Sequence, residues 1–315
     1  MRIGITGGTG FIGTNLIRRF GGDDHEFVIL ARGVDERNIA ELQAREGIQI
    51  VTGSVIDRST MREAFSGCDV IAHLAGINRE RGTQTYENVH VEGTEAVVSA
   101  ATDVGASKIV LTSYLRARPD CGSGYHESKW KAEEIVRRAG LDYTVVKPGV
   151  VYGAGDQMLT AISRSLATVP VFPQIGLTRR QIRPLAVDDL TDVLRASIRG
   201  DQLSETTVAV VGPETLTVAE LVSRVGTVLG EKPIVIPCPV WAHRISSWIQ
   251  ERVMETPIVS TAGVRMLAEG ATDPAPVGVC EPLPEALQPT REFSNDRIEE
   301  YLSAPERIGL DDFRL

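Results

Sequence analysis

The first half of the chain alternates short, continuously apolar runs with longer stretches of helical periodicity. Ile3–Thr6, Glu26–Ala31, Ile48–Val51, Asp69–Leu74, Lys108–Thr112 and Tyr143–Lys147 read as strands. Phe11–Phe20, Glu36–Arg45, Thr60–Phe65, Thr85–Val104 and Ser128–Ala139 read as helices. Strands that are apolar at successive positions are buried on both faces. Alternation at this spacing predicts an α/β fold, a doubly wound parallel sheet covered by helices on both sides. After Pro148 the rhythm loosens. Gln157–Ala167, Asp188–Ile198, Val218–Leu229 and Trp241–Val253 look helical, with short strands near Gln181–Pro184 and Thr207–Val211. Residues 273–289 hold five prolines in seventeen positions, which reads as an extended linker or surface strap. Ser294 is placed to cap a last short helix, with Asp296 in its first turn.

Charge narrows the partners. The 315 residues include 33 basic and 42 acidic side chains, a net charge of −9. Residues 281–315 alone, with nine acidic and four basic side chains, contribute −5. Nucleic acid is disfavoured, because neutralising phosphates needs a basic face. The four cysteines show no CxxC pairing and there are only five histidines, so neither a metal site nor a disulfide framework is expected. No basic-then-apolar leader and no apolar run of spanning length is present, so a cytoplasmic protein is expected.

The strongest local signal is Gly7-Gly8-Thr9-Gly10-Phe11-Ile12-Gly13, directly after the first strand and opening the first helix. Gly7 permits the tight turn, Gly10 lets the backbone approach a pyrophosphate, and Gly13 lets helix and sheet pack closely. The helix start at Phe11 and Ile12 offers unpaired N–H groups and a positive dipole end to phosphates. This is the dinucleotide-binding (Rossmann) fingerprint in its required strand–turn–helix context. Arg32 ends the second strand, about 20 residues on, where an acid grips the ribose of NAD and an arginine pairs with the 2′-phosphate of NADP. Two readings of Arg32 stand: an NADP selector, which makes NADP the preferred cofactor with NAD possible, or a solvated strand-end arginine. Ser54 and Val55, after the third strand, are placed to flank the adenine.

Further pieces then fall in one order. They are His73-Leu74-Ala75-Gly76, Asn88-Val89-His90-Val91-Glu92-Gly93-Thr94, Ser113, Tyr125-His126-Glu127-Ser128-Lys129 and Lys147-Pro148-Gly149-Val150-Val151-Tyr152-Gly153. With the glycine loop and the later Pro184–Leu190 stretch, the chain resembles the short-chain dehydrogenase/reductase superfamily in its extended and atypical branches. The closest look is to the epimerase/dehydratase-like subgroup that includes an accessory subunit of respiratory complex I. The resemblance implies that Leu74, Ala75, Gly76, Lys129, Pro148, Gly149, Val150 and Val151 line the cofactor. It also implies that Asn88 anchors a water relaying protons to Lys129.

Tyr125 and Lys129 stand four apart, so both project from one helix face. An ammonium beside a phenol is expected to lower its pKa, letting Tyr125 move the substrate proton while hydride passes to or from the nicotinamide. Ser113, at a strand's C-terminal end, is expected to polarise the same oxygen. Tyr-x-x-x-Lys also arises by chance as an ordinary surface pair. Two departures bear on substrate: the stretch 114–124 is short for a sugar-nucleotide enzyme, and Lys147 stands where the family commonly has arginine. Arg179, Arg180 and Arg183 are either anion ligands or solvated loop residues. Trp241, Ile245, Trp248 and Ile249, with Arg244 and Arg252, form a helical stripe that fits either a membrane surface or core packing, and the acidic overall charge opposes anionic lipid.

The expected organisation is a dinucleotide-binding domain at 1–155 and a smaller substrate-binding part at 156–272, interleaved with the sheet. A Pro-spaced acidic tail at 273–315 completes it. The expected function is an NAD(P)-dependent oxidoreductase or epimerase-like enzyme acting on a small molecule, with a homodimer through the helices at 85–104 and 128–139. The alternative is a non-catalytic NAD(P)-binding partner in assembly, redox sensing or a membrane complex.

Overall fold

The computed structural model describes residues 1–20, 25–32, 36–254, 257–302, 307–309 and 312. Of the acidic tail, 303–306, 310, 311 and 313–315 lie outside the described residues. The chain divides into two compact units. The first is Met1–Pro148, Asp188–Val210 and Asp273–Gln288; the second is Gly149–Val187, Val211–Thr272 and Pro289–Leu315.

The first unit begins with β1 (Arg2–Thr6), α1 (Phe11–Arg19), β2 (Glu26–Ala31), α2 (Glu36–Gln43), β3 (Ile48–Thr52), α3 (Arg58–Ala64) and β4 (Val70–His73). A π-helical turn, Glu87–Glu92, leads into α4 (Gly93–Val104), followed by β5 (Lys108–Thr112), α5 (Gly124–Arg137) and β6 (Asp142–Pro148). The intervening segment gives β7 (Val151–Tyr152), α6 (Gln157–Thr168), β8 (Val171–Ile175), β9 (Gln181–Ile182) and β10 (Leu185–Ala186). The chain then forms α7 (Val187–Arg199) and β11 (Thr206–Val210), and continues with β12 (Leu216–Thr217), α8 (Val218–Val228), β13 (Ile234–Cys238), α9 (Val240–Val253), α10 (Thr261–Glu269) and α11 (Asn295–Tyr301).

Seven strands form one parallel sheet in the order β11-β6-β5-β4-β1-β2-β3. This is the doubly wound arrangement expected from the apolar runs. The strand order reverses between β1 and β4, and ligands of such sheets bind outside the carboxyl ends of the strands at that switch point. Thr6 pairs with Leu30 on one side and His73 on the other, so the glycine loop and the Leu74–Gly76 turn leave the sheet side by side. One core cluster packs Leu30, Met61, Phe65, Ile71, Ile109, Leu111 and Val145 against the small face of α4, where Ala96, Ala100 and Ala101 are buried. Small residues there let the helix approach the sheet closely.

In the second unit, Tyr152 and Phe293 meet edge to face at 4.7 Å, and the Tyr152 hydroxyl donates to the Glu292 carbonyl. Thr217 and Glu220 cap α8 reciprocally, and Ser294 caps α11, as its sequence position suggested.

Several boundaries differ from the sequence reading, each for a local reason. The helix expected at 128–139 begins at Gly124, so Tyr125 lies in its first turn. Glu127 holds that turn by accepting from the backbone N–H groups of Cys121 and Gly122 at 2.9 and 2.6 Å. The strand expected at 181–184 is split into β9 and β10 around Pro184, which has no N–H to donate to a ladder. The two-residue strands β7 and β12, together with β8, β13 and α10, have no counterpart in the sequence pattern. β8 and β13 each carry a proline within the run, which hides a strand pattern.

Candidate active site

The glycine loop is built for close approach. Gly7 has φ +73°, and a Cβ there would lie 2.7 Å from the Ala75 backbone nitrogen. A Cβ on Gly13 would lie 2.3 Å from the Gly7 carbonyl oxygen, so only glycine lets α1 start against the loop. Gly10, exposed, is the residue before the first turn of α1, and its N–H donates to the Gly7 carbonyl at 3.1 Å. The cradle fits a dinucleotide pyrophosphate. Arg32 stands exposed just past the end of β2. Ser54 accepts the Asp57 N–H in the turn after β3, and Val55 is buried against Gly93. Pro148 ends β6 in the first unit; Gly149, Val150 and Val151 open the second.

Lys129 is almost wholly buried, and its ammonium donates to the Thr112 carbonyl at the end of β5 at 3.0 Å. Its Nζ would lie 3.1 Å from a Cβ on Gly76, in the turn after β4. The charge therefore sits at the carboxyl edge of the sheet, beside the turn that follows β4. Burial pulls the Lys129 ammonium down to about 8, against an opposing pull from Glu133.

The Tyr125 ring is walled by aromatic edges: Tyr86, His90, Tyr114 and His126 all lie with centroids 5.5–5.8 Å away. Burial, and then the neighbouring Tyr114 and Tyr86, raise its phenol rather than lower it. The expected depression by Lys129 is thus not what this geometry produces. A desolvated phenol among other rings favours its neutral form, while the Lys129 ammonium is held on the Thr112 carbonyl.

Behind this pair runs a polar chain that the sequence reading missed. Thr6 Oγ1 meets His73 Nδ1 at 2.6 Å, and His73 Nε2 meets Thr94 Oγ1 at 3.1 Å. Thr94 donates to the His90 carbonyl at 2.5 Å, so its oxygen accepts from His73 Nε2–H and Thr6 donates to Nδ1. The Ile77 N–H donates to His90 Nε2 at 3.0 Å. His90 Nδ1–H then donates to Ser128 Oγ at 2.8 Å, and Ser128 donates to the Tyr125 carbonyl at 3.0 Å. Both imidazoles are neutral: burial, with the Lys129 charge adding, pushes His73 down to about 3 and His90 to about 2. Both histidines stand inside quoted motifs, but their separation of 17 positions matches no helical or strand period.

Ser113 points elsewhere. Its hydroxyl donates to Glu133 Oε1 at 2.5 Å, and Glu133, fully buried, also holds Lys147 at 2.8 Å and Arg137 at 2.7 Å. Lys147 and Arg137 both lie over the Trp130 ring, 5.5 and 5.4 Å from its centroid. Lys147 thus spends its charge on a buried carboxylate. Asn88 donates its side-chain amide to the Thr83 carbonyl at 2.9 Å, and its own carbonyl accepts the Gly93 N–H across the π-turn. Arg183 donates to the Gly212 carbonyl at 2.8 Å, whereas Arg179 and Arg180 are exposed. The described residues hold no cluster able to bind a metal, and no helix among them is long and apolar enough to cross a membrane.

Residues 7–165 match a family model described as NAD(P)H-binding. The chain belongs to this family, and its likeness to the extended and atypical short-chain dehydrogenase/reductases stands. It is 29% identical to a ceramide reductase of Caulobacter vibrioides over 75% of this chain and 73% of that protein. It is 26% identical to the mitochondrial NADH-ubiquinone oxidoreductase 40 kDa subunit of Neurospora crassa over 69% of this chain and 57% of that subunit. The crystal structure of the Bordetella bronchiseptica enzyme WbmG in complex with NAD superposes with a TM-score of 0.64 at 20% identity, covering 76% of this chain and 81% of that one. At that identity the likeness speaks for the fold.

Proposed function

We propose that this chain is an NAD(P)-dependent oxidoreductase that reduces a carbonyl, or oxidises the matching alcohol, of a small-molecule substrate. The observation that carries the reading is the burial of Lys129 at the carboxyl edge of the sheet, on the helix face it shares with Tyr125. A bound nicotinamide would supply or accept the hydride. Tyr125, kept neutral by its surroundings, gives the proton to the substrate oxygen in the reductive direction. Lys129 keeps a positive charge beside that oxygen and holds the nicotinamide ribose. Ser113 can polarise a substrate oxygen only by leaving Glu133, so orienting the carbonyl falls mainly to Tyr125. Asn88 would steady the helix start beneath them and hold a relay water on its exposed side. Gly7, Gly10, Phe11, Ile12 and Gly13 would carry the pyrophosphate, Ser54 and Val55 the adenine end, and Leu74, Ala75, Gly76 and Pro148–Val151 the remainder. Arg32 would favour NADP over NAD by pairing with the 2′-phosphate.

A second reading, a dinucleotide-binding partner without turnover, draws on the engagement of Ser113 with Glu133 and on the respiratory-chain relative. A fluorescence titration with NADPH and NADH, on the wild type and Arg32→Ala, followed by a carbonyl panel scored by NADPH consumption, separates the two. We expect NADPH to bind at least about tenfold tighter than NADH, the preference to vanish in the variant, and at least one carbonyl to be reduced. Tight binding with no reduction across the panel would favour the second reading. No binding of either cofactor would remove both.

A further inference from the structure

α9 is amphipathic the wrong way round for a helix packed on a protein core. Its buried residues are His243 and Ser247, and the Ser247 hydroxyl reaches Thr261 at the start of α10 at 3.4 Å. Its exposed large side chains are Trp241, Ile245, Trp248, Ile249 and Val253, with Trp241 66% and Trp248 53% accessible. At 100° per residue these five fall within about 140° of one another, on the side opposite His243 and Ser247. The core-packing alternative for this stripe is therefore excluded by its exposure. The preceding strand β13 exposes Ile234 and Ile236 as well. Solvent-facing apolar side chains in this number mark a docking surface rather than ordinary surface scatter.

The charges on the face say what docks. Across β13 and α9 the only residues charged at neutral pH are Arg244, Arg252 and Glu251. Glu251 is turned to α10, accepting from the Thr261 N–H at 2.8 Å and its hydroxyl at 3.1 Å. Arg244 and Arg252 are exposed, and the Arg252 guanidinium lies 3.7 Å over the Trp248 ring, within the apolar face itself. A second copy covering this face about a two-fold axis would bury the Arg252 guanidinium against the partner's apolar side chains, with no free carboxylate on the face to pair it. A lipid surface suits the same arrangement. The indole rings and isoleucines enter the headgroup boundary while the guanidinium groups reach out to phosphates.

We propose that α9 is an interfacial helix that seats this protein on anionic lipid bilayers, with Trp241, Ile245, Trp248 and Ile249 buried among the headgroups. Flotation of the full chain with phosphatidylcholine vesicles, with and without phosphatidylglycerol, tests it, and sedimentation velocity gives the oligomeric state. Binding to the anionic vesicles is expected, with quenching of tryptophan emission by brominated lipid. Trp241→Ser/Trp248→Ser should weaken partitioning by about a hundredfold, roughly tenfold for each large apolar side chain withdrawn. Arg244→Ser/Arg252→Ser should weaken it by about thirtyfold and remove the preference for phosphatidylglycerol. NADPH binding by both variants, unchanged from wild type, shows that they fold. Failure of the wild type to float overturns the proposal, as does binding that the tryptophan variant retains. A dimer that this variant converts to monomer, without vesicle binding by the wild type, would make a second copy the occupant.

Discussion

α5 and α9 each run 14 residues, and each departs from the rule that a helix turns an apolar side inward, α5 only in part, since its Ala132 and Val136 are buried in the core. They break it in opposite senses. α5 buries His126, Ser128, Lys129 and Glu133 and gives every one of them a polar partner. α9 puts small and polar groups inward and leaves its tryptophans and isoleucines in solvent. A helix that pays desolvation for charges inside the fold is holding them for chemistry or for a network that cannot be dismantled piecemeal. One that leaves apolar groups outside is holding them for another surface. Changes in α5 should therefore register in turnover and in folding, and changes on the outer face of α9 in neither.

The largest expected effect is on turnover. Tyr125→Phe keeps the ring among its aromatic neighbours and removes only the proton donor, so kcat on a reduced carbonyl should fall by about 10²–10⁴-fold while NADPH affinity is kept. Steady-state kinetics on the best panel substrate measures it. Next comes Glu133→Ala, which strands the buried Lys147 charge and unties Ser113 and Arg137. Chemical denaturation should show a loss of about 3–5 kcal/mol.

The buried bases make stability depend on pH with a definite sign. His73 and His90 have folded pKa values below the free value near 6.5, so the unfolded chain binds more protons in acid. Stability from these two is present in full above about pH 6.5 and is lost as pH falls toward 3, by up to about 1.4 kcal/mol per unit for each. A denaturation series from pH 7 to 4 should show that slope, and His73→Asn should flatten it. Lys129 works in another window. Its folded value near 8 lies below the unfolded one, so the fold resists its charge at neutral pH and that penalty fades as pH rises from about 8 to 10.5. Lys129→Met should raise stability at pH 7 by up to about 3 kcal/mol while weakening NADPH binding. The smallest effect belongs to the other helix: Trp248→Ser, on a side chain already mostly in water, should shift stability by no more than about 0.5 kcal/mol.

The difference between these helices also marks where the sequence was readable. Continuous apolar runs gave six strands of the main sheet and the doubly wound fold, because a strand buried on both faces has no polar register to confuse it. The glycine loop was legible residue by residue, since each glycine answers a separate steric demand: Gly7 a positive φ, Gly13 a contact that leaves no space for a side chain. The polar chain through His73, Thr94, His90 and Ser128 was not legible. Its members come from β4, the π-turn with α4, and α5, and only the folded sheet brings them together. The same holds for the Ser113–Glu133 bond, formed between a strand end and the third turn of a helix. Nor can periodicity tell an inward apolar stripe from an outward one, so Trp241–Ile249 stayed open until burial decided it.

The central claim is that α5 carries a working proton donor rather than a structural tyrosine. Its most direct test is the rate of a single turnover by NADPH-loaded protein with a reducible carbonyl, wild type against Tyr125→Phe, at pH 7. A fall of at least about a hundredfold with cofactor still bound is the expected result. An unchanged rate with an intact fold would contradict the account and leave Tyr125 as packing between Tyr114 and Tyr86.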